Sequence, residues 1–410
     1  MRNQKRTWLN GIIVVLALLS FVTFPGKSVA QKPAIINFGL LGDFTGPYAS
    51  ISGPIATGFE DSIEYVNKEL GGIDGVKLNG ISRDNGGNAA LGLQQYAELI
   101  GMKPKPLFFH VPITPLAEAL REKLRADNAI GFFPSSIADL YPHGNTYGYY
   151  ALYPEQAAVA VKWVKDSWKE KRNPRIGIIT YDTSFGRAIL TEEFLNYCKN
   201  IGVDIVATEL FGIRDVSVST HLARMRSKEP DWLLTSTVGS GPLAIMKAAK
   251  ELGMNAKLLG NVAFDWATLR LDPGLFEGCV TILPHVSYDE MTHPGIQTIL
   301  GYMKKYNRKI DEKSMHYVLS WQNVLLAHKS VKDAVAKVGW DKLNVAAITN
   351  VLNHLSNYEP LNGVIRTSYT EKRRTPSWVT INRMEGGKIV SLSPGYGFIE
   401  VPDLRPAEYR

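Results

Sequence analysis

The sequence predicts an α/β protein built as two doubly wound parallel-sheet lobes. Three observations carry that reading. Apolar runs of strand length alternate with amphipathic helices along most of the chain. The alternation restarts after Pro154, so it reads as two similar units in tandem. Finally, removing a 30-residue leader leaves 410 − 30 = 380 residues, more than one core comfortably holds.

The leader comes first. Arg2, Lys5 and Arg6 precede the apolar stretch Gly11 to Phe24, Pro25 breaks it, and Ser28-Val29-Ala30 is a small-residue cleavage site. The apolar stretch is too short for the roughly 20 residues that span a bilayer. A secretory signal over residues 1–30, cleaved after Ala30 into the periplasm, is therefore expected. It removes four positive charges and no acid, so the mature chain falls from +7 to 7 − 4 = +3. Lysine and arginine are spread along helices, and Lys372-Arg373-Arg374 reads as a solvated loop. Nucleic-acid binding is not indicated. Cys198 and Cys279 read as two buried free thiols, although export would permit a disulfide.

Ile35 to Leu41 is the first strand, followed by a turn punctuated by Gly42, Gly46, Pro47 and Gly53. A helix is expected from Pro54 to Leu70, with Pro54 at its first position. Ile55, Phe59, Ile63, Val66 and Leu70 would form its buried face. This strand–turn–helix corner is where ligands sit in open α/β sheets. Val76 to Ser82 is a strand, Asn88 to Met102 a helix and Pro106 to Val111 a strand. Thr114-Pro115 opens the next helix with Thr114 as its cap, and Ile130 to Phe133 is the fourth strand. After the restart, helices at 155–168, 184–199, 219–227 and 242–252 alternate with strands at 175–181, 203–210, 232–236 and 257–260. Helices at 293–307, 314–338 and 344–353 follow. A hairpin is expected around Glu385-Gly386-Gly387.

No catalytic constellation emerges, and an enzyme is not expected. The eight histidines show no HxxxH spacing and the cysteines no CxxC, so no metal is expected. Val238-Gly239-Ser240-Gly241-Pro242 is not a hydrolase elbow. Gly239, Gly241 and Ala244 match a dinucleotide-binding pattern loosely, but the next strand runs into Asn261 rather than an acid, and no cofactor is expected.

Several words, in order, carry a family resemblance. They are Thr45-Gly46-Pro47, Tyr65-Val66-Asn67, Gly71-Gly72-Ile73-Asp74-Gly75, Asp84 before a helix, Ser184-Phe185-Gly186, Phe276-Glu277-Gly278 and the helix Trp321 to Ala336. In this the chain resembles the periplasmic leucine/isoleucine/valine-binding proteins, the type I solute-binding proteins of ABC transporters. The resemblance implies two lobes joined by three crossovers that close on a ligand. Lobe 1 would be 31–154 plus 284–360, and lobe 2 would be 155–283 plus 361–410. The implied role is the substrate-binding component of an importer for branched-chain amino acids or a related small carboxylate or amide. The alternative is a ligand-sensing receptor on the same bilobed fold. Implied partners are the small molecule and ABC permease subunits, with the protein itself a monomer.

The family seats a ligand carboxylate at positions that match Thr114, Ser135, Ser136 and Ile137, where a helix start favours an anion. Each of these hydroxyls also suits a plain cap or turn. Amino-acid binders place an acid at the position matched by Asn261. Asp265 is expected either to replace it or to cap the turn at Trp266. Phe185 stands where some members have tyrosine, and Val238 near another aromatic position. In the first loop Tyr48, Ser50 and Ser52 can face the cleft, and Tyr317 and Trp321 can wall it. Core packing is the competing role for each aromatic.

Overall fold

The computed structural model describes residues 32–136, 140, 144–215, 217–261, 264–309, 313–393 and 397–410. The expected signal segment lies outside them, as does Ile137. The first sheet is built from β1 (Ile35–Gly42), β2 (Lys77–Asp84), β3 (Phe108–His110), β4 (Ile130–Phe133) and β5 (Thr146–Gly148). Its strands are all parallel, in the order β2-β1-β3-β4-β5. Parallel strands must be buried on both faces, which explains why β1 and β4 are apolar runs without alternation. Phe38 on β1 meets Phe59 edge-on at 5.0 Å and lies 5.5 Å from Phe108. Each such ring stabilises the fold by about 1.5–3 kcal/mol through burial.

The helices of this unit are α1 (Ala49–Lys68), α2 (Ala89–Ile100) and α3 (Thr114–Ala126). In the second unit come α4 (Tyr153–Ser167), α5 (Ser184–Arg187), α6 (Glu192–Asn200), α7 (Ser219–Arg226), α8 (Gly241–Glu251) and the short α9 (Trp266–Leu269). They surround β6 (Arg175–Tyr181), β7 (Asp204–Phe211), β8 (Trp232–Thr235), β9 (Lys257–Gly260) and β10 (Val280–Leu283). The order β7-β6-β8-β9-β10 repeats that of the first sheet. Two antiparallel strands, β11 (Trp378–Glu385) and β12 (Lys388–Ser391), extend its edge, and β13 (Ile399–Glu400) pairs with β11.

Between β10 and β11 the chain returns to the first unit as α10 (Pro294–Lys305), α11 (Met315–Val338) and α12 (Val345–Leu352). The long α11 lies along α1, as its buried stretch from Met315 to His328 requires. The chain thus passes between the sheets three times: between β5 and α4, between β10 and α10, and between residues 353 and 377. The tail comes back as well, with Tyr409 packed against the cluster holding Tyr96 and Leu99.

Two helix starts differ from expectation. The first helix begins at Ala49, so Pro54 lies inside it rather than at its first position. Pro54 has no N–H to give the Ser50 carbonyl, and its second-turn place leaves the first turn tied to the loop instead. At α3 the capping residue is Ile113, whose carbonyl accepts from Leu116 and Ala117 N–H at 3.1 and 3.0 Å. Thr114 is the first helical residue and Pro115 the second, where a missing N–H is harmless. The helix expected over 184–199 is broken. Thr183 caps α5 by accepting from Gly186 N–H at 3.2 Å, and Thr191 caps α6 by accepting from Phe194 N–H at 3.2 Å. A threonine inside a helical pattern offers the backbone this alternative, and the turn between the two buries Ile189. Cys198 and Cys279 are buried and unbonded. Among the described residues no helix is long and apolar enough to cross a membrane.

Candidate functional site

The C-terminal ends of the two parallel sheets face each other across a cleft. Its first wall is the loop after β1. Asp43 folds that loop by accepting from Gly46 N–H at 2.5 Å and Tyr48 N–H at 2.8 Å. Asp84, at the end of β2, accepts from Phe44 N–H and from the Thr45 hydroxyl, both at 2.8 Å. These bonds hold the Asp84 carboxyl below the usual carboxylate range against the opposing effect of burial. The loop therefore delivers the first turn of α1 into the cleft.

The wider part of the cleft is a cavity of about 550 Å³. Ala49, Ser50, Gly53 and Pro54 of α1 form one side, with Thr57 a turn further on. Val238, Gly239 and Ser240 before α8 form another, Asp265, Thr268 and Leu271 around α9 a third, and Ser314 and His316 at the start of α11 close it. Its size suits a small organic ligand. Gly239 has φ +59°, and a Cβ there would lie 3.1 Å from Ser50 Oγ, so the two walls meet at that point.

A narrow inner part of about 20 Å³ continues past Ile51, Val238 and His316. That is space for about one water or one ligand oxygen. Tyr48, Tyr149, Tyr150, Tyr153 and Phe185 surround it, with Thr114 at the start of α3. Phe185 meets Tyr153 edge-on at 5.2 Å, and the hydroxyls of Tyr150 and Tyr153 are 2.7 Å apart. Burial raises Tyr150 well above its ordinary value, so its hydroxyl stays neutral. His316 is pushed down to about 3, first by burial and then by His285. The inner part therefore carries no charge at neutral pH.

The sequence-predicted residues separate into two sets. Thr114, Phe185, Val238 and Asp265 line the cleft, and so do Tyr48 and Ser50. The others pack behind it. Ser52 is buried and its Oγ accepts from Asp43 N–H at 3.0 Å. Ser135 donates to the Tyr150 carbonyl at 2.6 Å, and Ser136 is buried off the lining. Asn261 Nδ2 donates to Ser236 Oγ at 3.1 Å. The Tyr317 hydroxyl donates to Asp61 at 2.5 Å, and Trp321 packs between the rings of Tyr65 and Tyr302. Val238 contributes backbone as well as side chain, since its carbonyl accepts from the Tyr181 hydroxyl at 2.8 Å.

Asp265 is the only acid among the described lining residues. It caps α9, with Oδ1 accepting from Ala267 N–H at 3.0 Å. Its Oδ2 accepts from Met315 N–H at 2.7 Å, with the Ser314 hydroxyl beside the carboxyl, and Thr268 N–H donates to the Asp265 backbone carbonyl at 3.1 Å. Burial raises its carboxyl above the ordinary value, with these donors opposing the shift. Both carboxylate oxygens are thus engaged by backbone donors of the protein itself.

Sequence reasoning missed His316, the tyrosines at 149, 150 and 153, Ile51 and Thr268. Tyr149 and Tyr150 follow a three-residue strand, too short to show a period. Among the described residues no cluster of three metal-ligating side chains occurs.

A family model described as periplasmic binding protein matches residues 35–388. A Leu/Ile/Val-binding protein homolog 7 from Brucella suis is 24% identical over 239 residues, 55% of this chain. The match spans 57% of that relative, little more than half its length. Among solved structures, a branched-chain amino acid ABC transporter protein from Thermus thermophilus with bound valine superposes with TM-score 0.80. It is 18% identical and covers 93% of this chain and 99% of its own. A fatty acid ABC transporter substrate-binding protein from Thermomonospora curvata gives TM-score 0.77 at 18% identity, covering 92% and 96%. A solute-binding protein from Rhodopseudomonas palustris in complex with 3,4-dihydroxybenzoic acid gives 0.76 at 17%, covering 90% and 99%. At these identities the likeness is one of fold.

Proposed function

This chain belongs to the periplasmic binding protein family, and we propose that it is the periplasmic substrate-binding component of an ABC importer, closing its two lobes on a small ligand that it hands to permease subunits. The ligand is a small carboxylate or amide with an apolar or aromatic body and no ammonium group. The observation that carries this choice is Asp265. An amino acid's ammonium needs a charged acceptor in the closed cleft, and the only acid among the described lining residues has both oxygens engaged by backbone donors. A buried ammonium without a partner loses several kcal/mol. Micromolar binding is about 8 kcal/mol in all, so losing half of that leaves only millimolar affinity.

The acceptor end of the ligand belongs at Thr114. That residue opens the 13-residue helix α3, whose positive dipole end favours an anion, and it faces the narrow inner part, where one oxygen fits. Ser135, also matched to the family's seat, acts here through the Tyr150 carbonyl it holds. The structural relatives are named for ligands as different as valine, a fatty acid and a dihydroxybenzoate, so the fold admits ligands outside the amino acids as well as within them.

Calorimetry tests this directly. Leucine, valine and phenylalanine should bind at least about tenfold more weakly than the same molecules without the amino group, the margin of about 1.4 kcal/mol. Tighter binding of leucine would overturn the ligand class. Thr114→Ala should weaken the acid that binds best, whereas Ser135→Ala should lower stability with affinity little changed.

A further inference from the structure

Asp265 joins elements of different units. It follows β9 of the second sheet and caps α9 there. Met315 and Ser314, fifty residues on, open α11, which packs along α1 of the first unit. Met315 N–H is a first-turn donor with no partner inside its own helix. Asp265 Oδ2 meets it at 2.7 Å in a fully buried position. The start of α11 thus lines the cleft, as do those of α1, α3 and α8, and a carboxylate from the opposite wall already occupies it. Another polar contact crosses the same cleft: the Ser184 hydroxyl donates to Glu118 at 3.3 Å.

We infer that Asp265 is a tethered anion that clasps the two lobes by filling the anion seat at the start of α11. The protein then closes in the absence of ligand. The clasp also sets specificity in the proposed cleft, on which this inference rests: it withdraws the only acid among the described lining residues from cationic groups and leaves the α3 start free of a carboxylate from the opposite wall. Opening the lobes would return both the carboxylate and the Met315 N–H to water. The clasp is worth a charged hydrogen bond, and so the closed state is favoured by more than the hinge alone would give.

The test needs no ligand. The full mature chain is stripped by dialysis in denaturant, refolded and checked by circular dichroism and mass. In this ligand-free protein the Met315 amide should exchange slowly with deuterated water, and small-angle scattering should give a compact radius of gyration near ~21 Å, the value for about 380 residues. Asp265→Asn keeps a good helix cap for α9 but presents an NH₂ where one oxygen accepted. It should speed Met315 exchange by at least about tenfold, the order expected for losing one charged hydrogen bond, and enlarge the radius. Unprotected Met315 in the ligand-free wild type overturns the inference, whether or not the variant folds. So does a folded Asp265→Asn protein with unchanged radius and exchange. The titrations of amino acids against their des-amino forms can fail without touching either result.

Discussion

Three histidines near the cleft are held neutral by burial. His110 and His316 are pushed down to about 3 and His285 to about 4. In the unfolded chain each titrates near 6.5. Between those values the unfolded state binds more protons, so the stability these residues contribute is full above about pH 6.5 and is lost as pH falls toward 4. Asp265 and Glu155, with pKa values raised by burial, act with the opposite sign. His110 is the cleanest probe, because both its ring nitrogens are buried without a hydrogen-bond partner. His110→Leu removes no bond and one buried ionisable ring. Urea unfolding at pH 7 and pH 5 should show a smaller loss of stability in the variant than in the wild type, and equal losses would contradict this account. The thiols give a second prediction. Burial pushes Cys198 up to about 12 and Cys279 up to about 11, so neither forms a thiolate readily. Both should resist iodoacetamide in the folded protein and react on unfolding; rapid labelling of the folded chain would show a breathing core.

At the scale of elements, α1 and α11 are bound by more than apolar contact. Asp61 on α1 accepts from the Tyr317 hydroxyl of α11 at 2.5 Å and from Arg308 at 2.5 and 3.0 Å. Both charges are largely buried, so removing Asp61 leaves Arg308 with the exposed Glu60, 3.1 Å away, in place of a buried partner. Asp61→Ala should therefore cost about 3 kcal/mol in chemical denaturation, while affinity for the ligand stays within twofold, since this network lies behind the cleft wall. A large loss of affinity without loss of stability would place the network in the site. The same elements show what the sequence made legible. The strands at 130–133, 175–181 and 257–260 match to the residue, because buried apolar runs with polar ends have sharp limits. The start of α1 was not legible, since Pro54 and Gly53 resemble a helix entrance and the bonds that fold the loop come from Asp43 and Asp84. Tyr317 and Trp321 sit on a helix buried nearly all round, where no polar face marks which side meets the cleft.

For the whole molecule, tandem β-α alternation announced two sheets, and the repeated strand order bears that out. The cleft was legible only in part. Thr114, Phe185, Val238 and Asp265 were found through family-like words, whereas His316 and the tyrosines at 149–153 come together only when the chain crosses between sheets. Sequence spacing carries no record of that juxtaposition. The most direct test of a solute-binding role is mass spectrometry of small molecules released by denaturing protein freshly purified from its native host. The account predicts one organic acid or amide per chain, without a primary amine, whose return to the stripped protein restores the bound mass. Release of leucine, isoleucine or valine, or no retained molecule even after exposure to a metabolite extract, would contradict it.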